Sequence, residues 1–202
     1  MLIDEHLNWE DEIQTLTKKL ARACGIICKL RHFVDYHTLI SIYYAIFESH
    51  INYRIQSWGF IKRSLIDRIS VLQRKTLRYI YFKSSIEHCA PLFVQSKILP
   101  IEKQLILRNC LLALDIIQQK CPDKFKTFVE LQGLNHTHNT RSTKLQISYT
   151  RTITYGTYNI KNTIARNWNT YIPKIKNLNM DTISNTSLKH HLKSKLIYDL
   201  MN

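Results

Sequence analysis

Residues 62–83 read KRSLIDRISVLQRKTLRYIYFK, and the phase of the apolar positions in this stretch decides the fold. Leu65, Ile69, Leu72, Leu77 and Ile80 recur at helical rather than alternating spacing, which makes one face of a helix apolar. Ser64, with Asp67 three residues on, is the capping-box pattern with Asp in place of Glu and sets the helix start at Ser64. The remaining face is basic, with Lys62, Arg63, Arg68, Arg74, Lys75, Arg78 and Lys83 against Asp67 as the local acid. Tyr79, Tyr81 and Phe82 are interleaved with these cations. Clustered cations release counterions from a phosphate backbone, and aromatic rings stack on sugars or bases. The same pattern also suits a solvated helix face whose aromatics turn into the core.

Upstream, two more helices are expected to share that core. The first runs from about Trp9 to Arg31, capped by Asn8, with Glu10, Asp11 and Glu12 in the first turn, where the helix dipole favours negative charge. Ile13, Leu16, Leu20, Ala23, Ile27 and Leu30 form a seam that wants a partner helix. Asp35 is placed to cap the second, from Tyr36 to about Trp58, stopped by Gly59. Its apolar face includes Leu39, Ile42, Tyr43, Ile46 and Tyr53. Three helices with short links make a bundle over residues 1–83.

Downstream, Pro91 and Pro100 punctuate the chain before a helix from about Ile101 to Lys120, apolar on most of its circumference. A short helix near Asp123–Leu131 and a polar loop follow. LQISYTRTITYGTY alternates and is rich in Thr, Tyr and Ile, so a small β-hairpin is expected near 145–158. A helix around Ile160–Tyr171 ends before Pro173, and an amphipathic helix from about Ser187 to Leu200 closes the chain. The expected fold class is mainly α: a helical bundle, then a second helical cluster over 84–202 carrying the hairpin.

The net charge of +14 suits a polyanionic partner. Its distribution is uneven, since Leu131 to Tyr198 holds one acid, Asp181, against ten Lys and Arg, while residues 1–12 hold five acids and no Lys or Arg. Arg141, Lys144 and Arg151 in the basic C-terminal third join the helix cations as candidate nucleic-acid contacts. Five cysteines without framework spacing read as reduced thiols, as inside a cell. Cys24, Cys28 and His32 share a helical face with metal-ligand chemistry, but no fourth ligand is evident and two border the apolar seam, so buried free thiols are the expectation. His136 and His138 read as part of a solvated loop. There is no membrane-length apolar run, no basic secretory leader, no Gly-rich phosphate loop and no HExxH motif. No cofactor and no catalytic residue is expected, and the nucleus or cytoplasm is the expected location.

Several short motifs, in order along nearly the whole chain, resemble one family. Leu2-Ile3-Asp4 with Leu7 and Trp9, Lys29-Leu30-Arg31, Tyr43-Tyr44 with Phe47, Asn52-Tyr53 and Trp58-Gly59 come first. Leu72-Gln73 with Leu77-Arg78 and Ile80, Ala90-Pro91-Leu92-Phe93 and Leu99-Pro100 follow. Asn139-Thr140-Arg141, Arg151-Thr152 with Gly156, and Trp168-Asn169 with Pro173 complete the series. This set resembles the region after the polymerase palm in reverse transcriptases of jockey-like non-LTR retrotransposons. Arg54 stands where the family commonly has Gly, and Thr163, Ile164 and Ala165 are only partly small.

The resemblance implies a thumb-like bundle that grips a primer–template duplex of RNA or DNA. It also implies a chain that starts beyond the palm aspartates and their Mg²⁺, as a truncated and catalytically inert remnant of an RNA-directed DNA polymerase. The alternative is a protein-interaction module that associates with itself or another chain through exposed thumb surface, without a nucleic-acid function.

Overall fold

Apolar seams at helical spacing require partner helices, and the computed structural model supplies them. It describes residues 9–53, 55–59, 61–129, 144–148, 159–175 and 183–201, which are mainly α-helical. Two compact units divide the chain: residues 1–103 with 197–202, and residues 104–196. The first thus includes, besides the expected bundle, the helix that follows Cys89.

In the first unit, α1 (Glu10–Leu30) buries Ile13, Leu16, Leu20, Ala23, Cys24 and Ile27, the expected seam with Cys24 added and with Leu30 only half-buried at its end. Trp9 stands at its N-cap in a left-handed conformation, φ 58°, without a side-chain cap, so the helix starts one residue later than expected. Asn8 lies outside the described residues. Asp35 caps the next helix as expected: its carboxylate accepts from the backbone N–H groups of His37 at 2.9 Å and Thr38 at 3.3 Å.

The second helix is not continuous. It passes through α2 (Tyr36–Ile42), a π-helical stretch (Tyr43–Glu48) and α3 (Ser49–Asn52), breaks at Tyr53, and resumes as α4 (Ile55–Trp58). Its buried side chains step by four at Leu39, Tyr43, Phe47, Ile51 and Ile55, with Trp58 buried after them. A strict four-residue stripe would rotate by about 40° per step around an ordinary α-helix. The wider π-helical turn lets it keep facing the core. Ile42 and Ile46 are therefore only half-buried. Tyr53 is exposed because its extended backbone, ψ 105°, turns the chain. Its carbonyl accepts the Trp58 indole N–H at 3.0 Å.

α5 (Arg63–Ile80) packs against α1 and buries Leu65, Ile66, Ile69, Ser70, Gln73, Thr76, Leu77 and Ile80. Its N-cap is Lys62 without a side-chain bond, so the expected capping box at Ser64 does not form. Leu72 lies at the edge of the stripe, half-buried. The centre is Gln73, fully buried. Its Nε2 donates to Tyr43 Oη at 3.0 Å and to Leu99 O at 2.9 Å, and its Oε1 accepts from Ile101 N at 3.0 Å. α6 (Ala90–Ser96) starts with Pro91 in its first turn, which suits a residue without an N–H. α7 (Ile101–Ile117) begins at the N–H that Gln73 holds.

In the second unit, α7 buries Leu107, Cys110, Ala113 and Leu114 and ends three residues before the expected Lys120. A 3-10 stretch, Asp123–Phe128, follows. α8 (Ile160–Tyr171) has the expected bounds, with Asn159 as its cap. α9 (Asn185–Tyr198) starts two residues earlier than expected because Ser184 caps it: Ser184 Oγ accepts from Ser187 N at 3.1 Å.

Most of the hairpin expected near 145–158 lies outside the described residues. The described part, 144–148, is extended, and among the described residues there is no strand. Asparagine side chains of α8 bond its backbone at two points. Asn169 exchanges both bonds with Leu145, accepting from its N–H at 2.7 Å and donating to its O at 2.9 Å. Asn162 does the same for Ser148 at 3.0 and 3.2 Å. The step from 162 to 169 along a helix and the step from 145 to 148 along an extended chain both span about 10 Å, so one α8 face matches both bonding points.

Replacing Gln73 by Leu fills similar volume but strands the Ile101 N–H, the Leu99 carbonyl and the Tyr43 hydroxyl. Each stranded buried group costs about 1–3 kcal/mol, so Gln73→Leu should lower unfolding free energy by roughly 3 kcal/mol or more. Urea unfolding checks this; an unchanged midpoint would show that the amide is dispensable.

Candidate nucleic-acid interface

The buried arc of α5 forces all its cations onto the solvent side, but ion pairing then divides them. At the N-terminal end, Lys62 Nζ pairs with Glu10 at 3.3 Å. Arg63 pairs with Asp67 and with Glu102, each at 3.2 Å. At the C-terminal end, Lys83 pairs with Glu87 at 2.9 Å. Arg78 is half-buried and donates from Nε to the Glu87 carbonyl at 3.0 Å. Asp67 is thus not the one local acid: Glu10, Glu87 and Glu102 come from elsewhere in the fold.

Arg68, Arg74 and Lys75 remain. All three are exposed, and among the described residues no carboxylate pairs with them. Exposed pairs such as Arg63–Asp67 contribute at most about 1 kcal/mol to stability. Their larger effect is on the local field, since a paired cation attracts phosphate less than an unpaired one. The middle of α5 is the electropositive part. Of the other sequence candidates, Lys144 lies exposed in the extended segment of the second unit, and Arg141 and Arg151 lie outside the described residues.

The interleaved aromatics do not enter the core. Tyr79 and Tyr81 are half-buried, and Phe82 is 58% exposed. Tyr79 and Phe82 flank a residue that the sequence motifs left without a role, Arg31. Its guanidinium carbon lies 4.8 Å from the Phe82 ring centre and 5.5 Å from that of Tyr79. Lys75 Nζ lies 5.8 Å from the same Tyr79 ring, and His32 meets Phe82 edge-on at 5.6 Å. The Tyr81 hydroxyl shares a 2.6 Å hydrogen bond with that of Tyr36, and burial, then this bond, pushes the Tyr81 phenol up. Local spacing could not reveal the cluster, because Arg31 and Phe82 meet only when α1 packs on α5.

Other potential sites hold less. Cys24 is buried and Cys28 half-buried, both free thiols, and His32 Nε2 accepts from Arg31 Nε at 3.1 Å. Among the described residues no group of three potential metal ligands converges. A groove of about 300 Å³ lies beside α1 and the Tyr53 turn. Its walls mix Glu12 with Lys19 and His50, which gives no single-signed field for a polyanion. Among the described residues no helix is long and apolar enough to cross a membrane.

Comparison with protein-family models, with curated proteins and with solved structures finds no match for this chain.

Burial raises the Cys24 and Cys89 thiols above the usual value of 9.0 and pushes Cys110 up to about 12. The Tyr44 phenol is raised to about 12, by burial first and then by Glu48. The unfolded chain loses these protons at lower pH than the folded one, so stability is full below the unfolded value and falls as pH rises through this window. Between about pH 8 and about pH 11, Cys110 alone should lower unfolding free energy by about 2–3 kcal/mol. Urea midpoints across that range test this; a Cys110→Ala variant should show a shallower fall.

Proposed function

We propose that this chain binds RNA or DNA by the phosphate backbone, through the outer face of α5, and carries no catalytic chemistry of its own. The observation that supports this best is the row of Arg68, Arg74 and Lys75, exposed and, among the described residues, without acid partners, on one helix of a chain with net charge +14. The order of motifs along the sequence adds a second argument. It resembles the post-palm region of non-LTR retrotransposon reverse transcriptases, where a thumb-like bundle would meet a primer–template duplex. In this reading the chain corresponds to that part of an RNA-directed DNA polymerase, and Mg²⁺ belongs to the palm of the parent enzyme.

Phosphate contacts carry no base information, so binding is tolerant of sequence and steeply dependent on salt. Each lost phosphate contact lowers the slope of log affinity against log salt by about 0.7–0.9. Replacing Arg68, Arg74 and Lys75 together with Ala should therefore reduce the slope by about two. Replacing Lys62, Arg63 and Lys83 should change it by less than about one, since their charges are already compensated. Equal slopes for the two triple variants would overturn the assignment of the contact to the middle of α5.

A second reading, a helical module that associates with itself, is favoured by two apolar side chains in solvent, Phe33 at 83% and Ile86 at 90% exposure. Large exposed apolar patches mark association surfaces. Sedimentation velocity separates the readings: a monomer that binds nucleic acid supports the first, and a dimer that Phe33→Ser with Ile86→Ser dissolves supports the second.

A further inference from the structure

α5 ends with a phenylalanine where helix termini ordinarily take glycine. Lys83 N donates to Arg78 O at 2.8 Å, and Phe82 N donates to Tyr79 O at 3.3 Å. These paired bonds make a Schellman turn, with Phe82 at its left-handed position, φ 54°. In that conformation a Cβ crowds the backbone carbonyl, which is why glycine or asparagine is the usual occupant. Lys97 and Gln119 hold the corresponding places after α6 and α7, both at φ 55°, but as flexible polar side chains in solvent. Phe82 is different. It is large and apolar, it is mostly exposed, and burial in the core does not account for it.

The cationic groups around the ring point to a use. Arg31 rests against both Phe82 and Tyr79, and among the described residues no carboxylate engages it. Two aromatic faces restrict the guanidinium while leaving N–H donors for an anion, and such a fork matches the oxygens of a phosphate. Lys75 adds a second cation over Tyr79. A largely exposed ring beside Arg31, with Lys75 over the neighbouring Tyr79 ring, puts an apolar surface and two cations that no carboxylate pairs among the described residues within the length of one nucleotide.

We infer that Phe82, Arg31 and Lys75 form a subsite for one unpaired nucleotide of a single strand, the base stacking on Phe82 and its phosphate held by Arg31 and Lys75. The inference rests on the reading of α5 as a nucleic-acid contact and adds to it a preference that backbone contacts lack. A base within a duplex has both faces covered by its neighbours, so it cannot take the Phe82 ring without unstacking. Arg68 and Arg74 hold either form. The stack makes the chain discriminate single strands and strand ends from continuous duplex.

The test compares three probes of equal length: an oligothymidylate, a strand of abasic deoxyribose phosphates, and a duplex. The parent chain should bind the oligothymidylate about tenfold tighter than the abasic strand, the scale of one base–aromatic stack. Phe82→Gly should make those two affinities equal without lowering the thermal midpoint, because glycine suits the left-handed turn. Phe82→Tyr should keep the preference. If Phe82→Gly does not fold, Phe82→Asn serves for the same comparison, since asparagine also tolerates this conformation.

Equal binding of the first two probes by the parent, or an undiminished preference in the ring-less variants, overturns the inference. Binding to none of the probes at low salt removes the backbone reading as well. Equal binding to all three that weakens when Arg68, Arg74 and Lys75 are replaced leaves the backbone reading intact and removes the stacking subsite alone.

Discussion

A single buried amide ties the first unit together. Gln73 lies at the centre of α5 and bonds at once to the Tyr43 hydroxyl, the Leu99 carbonyl and the Ile101 N–H. A hydrogen bond between neutral groups contributes only about 1 kcal/mol net when made, yet each buried partner left without one costs more than that. The amide therefore acts chiefly as a constraint. It sets the rotation of α5 about its axis, the depth of the π-helical stretch and the point where α7 starts. Once that rotation is set, the eight buried positions of α5 are chosen, and every cation of the helix is sent to the solvent side.

The distribution of charge on that side is a second consequence of packing. Net charge alone treats all the α5 cations alike, but acids arrive from α1, from the loop after α5 and from the start of α7. Lys62, Arg63 and Lys83 at the two ends are paired with carboxylates, Arg78 bonds a backbone carbonyl, and the middle is left positive. These exposed pairs contribute little to stability. At physiological salt, screening acts over about 8 Å, so a partner senses the nearest charges rather than the total. For a polyanion, the pairing pattern matters more than the sum.

The second unit solves a different problem with similar chemistry. An extended segment needs partners for its N–H and C=O groups, and at Leu145 and Ser148 they come from the side chains of Asn169 and Asn162 on α8. Leu145 is fully buried at one end of this contact. The cost of the arrangement is sensitivity, because each asparagine serves both polar groups of one residue. By contrast, Asn109 on α7 is fully buried with neither amide atom hydrogen-bonded, and nothing in the structure explains it.

Much of the helical content was legible in the sequence. The α1 seam, the Asp35 cap and the bounds of α8 follow from spacing and local capping chemistry, which act within a few residues of chain. So does the placement of the α5 cations opposite an apolar stripe. Other features needed the tertiary structure. Gln73 reads locally as a polar residue in a helix, and only its three distant partners make burial favourable. The Ser64 capping box has the right residues, yet the helix starts one residue earlier and the box does not form. Arg31 and Phe82, 51 positions apart, become neighbours only because α1 lies along α5. By itself the sequence determined which segments become helices and which of their faces are apolar, because those depend on short-range periodicity. The fold decided which cations keep their charge unpaired and where an aromatic ring stays in solvent, because both depend on side chains that long-range packing brings within a few ångströms.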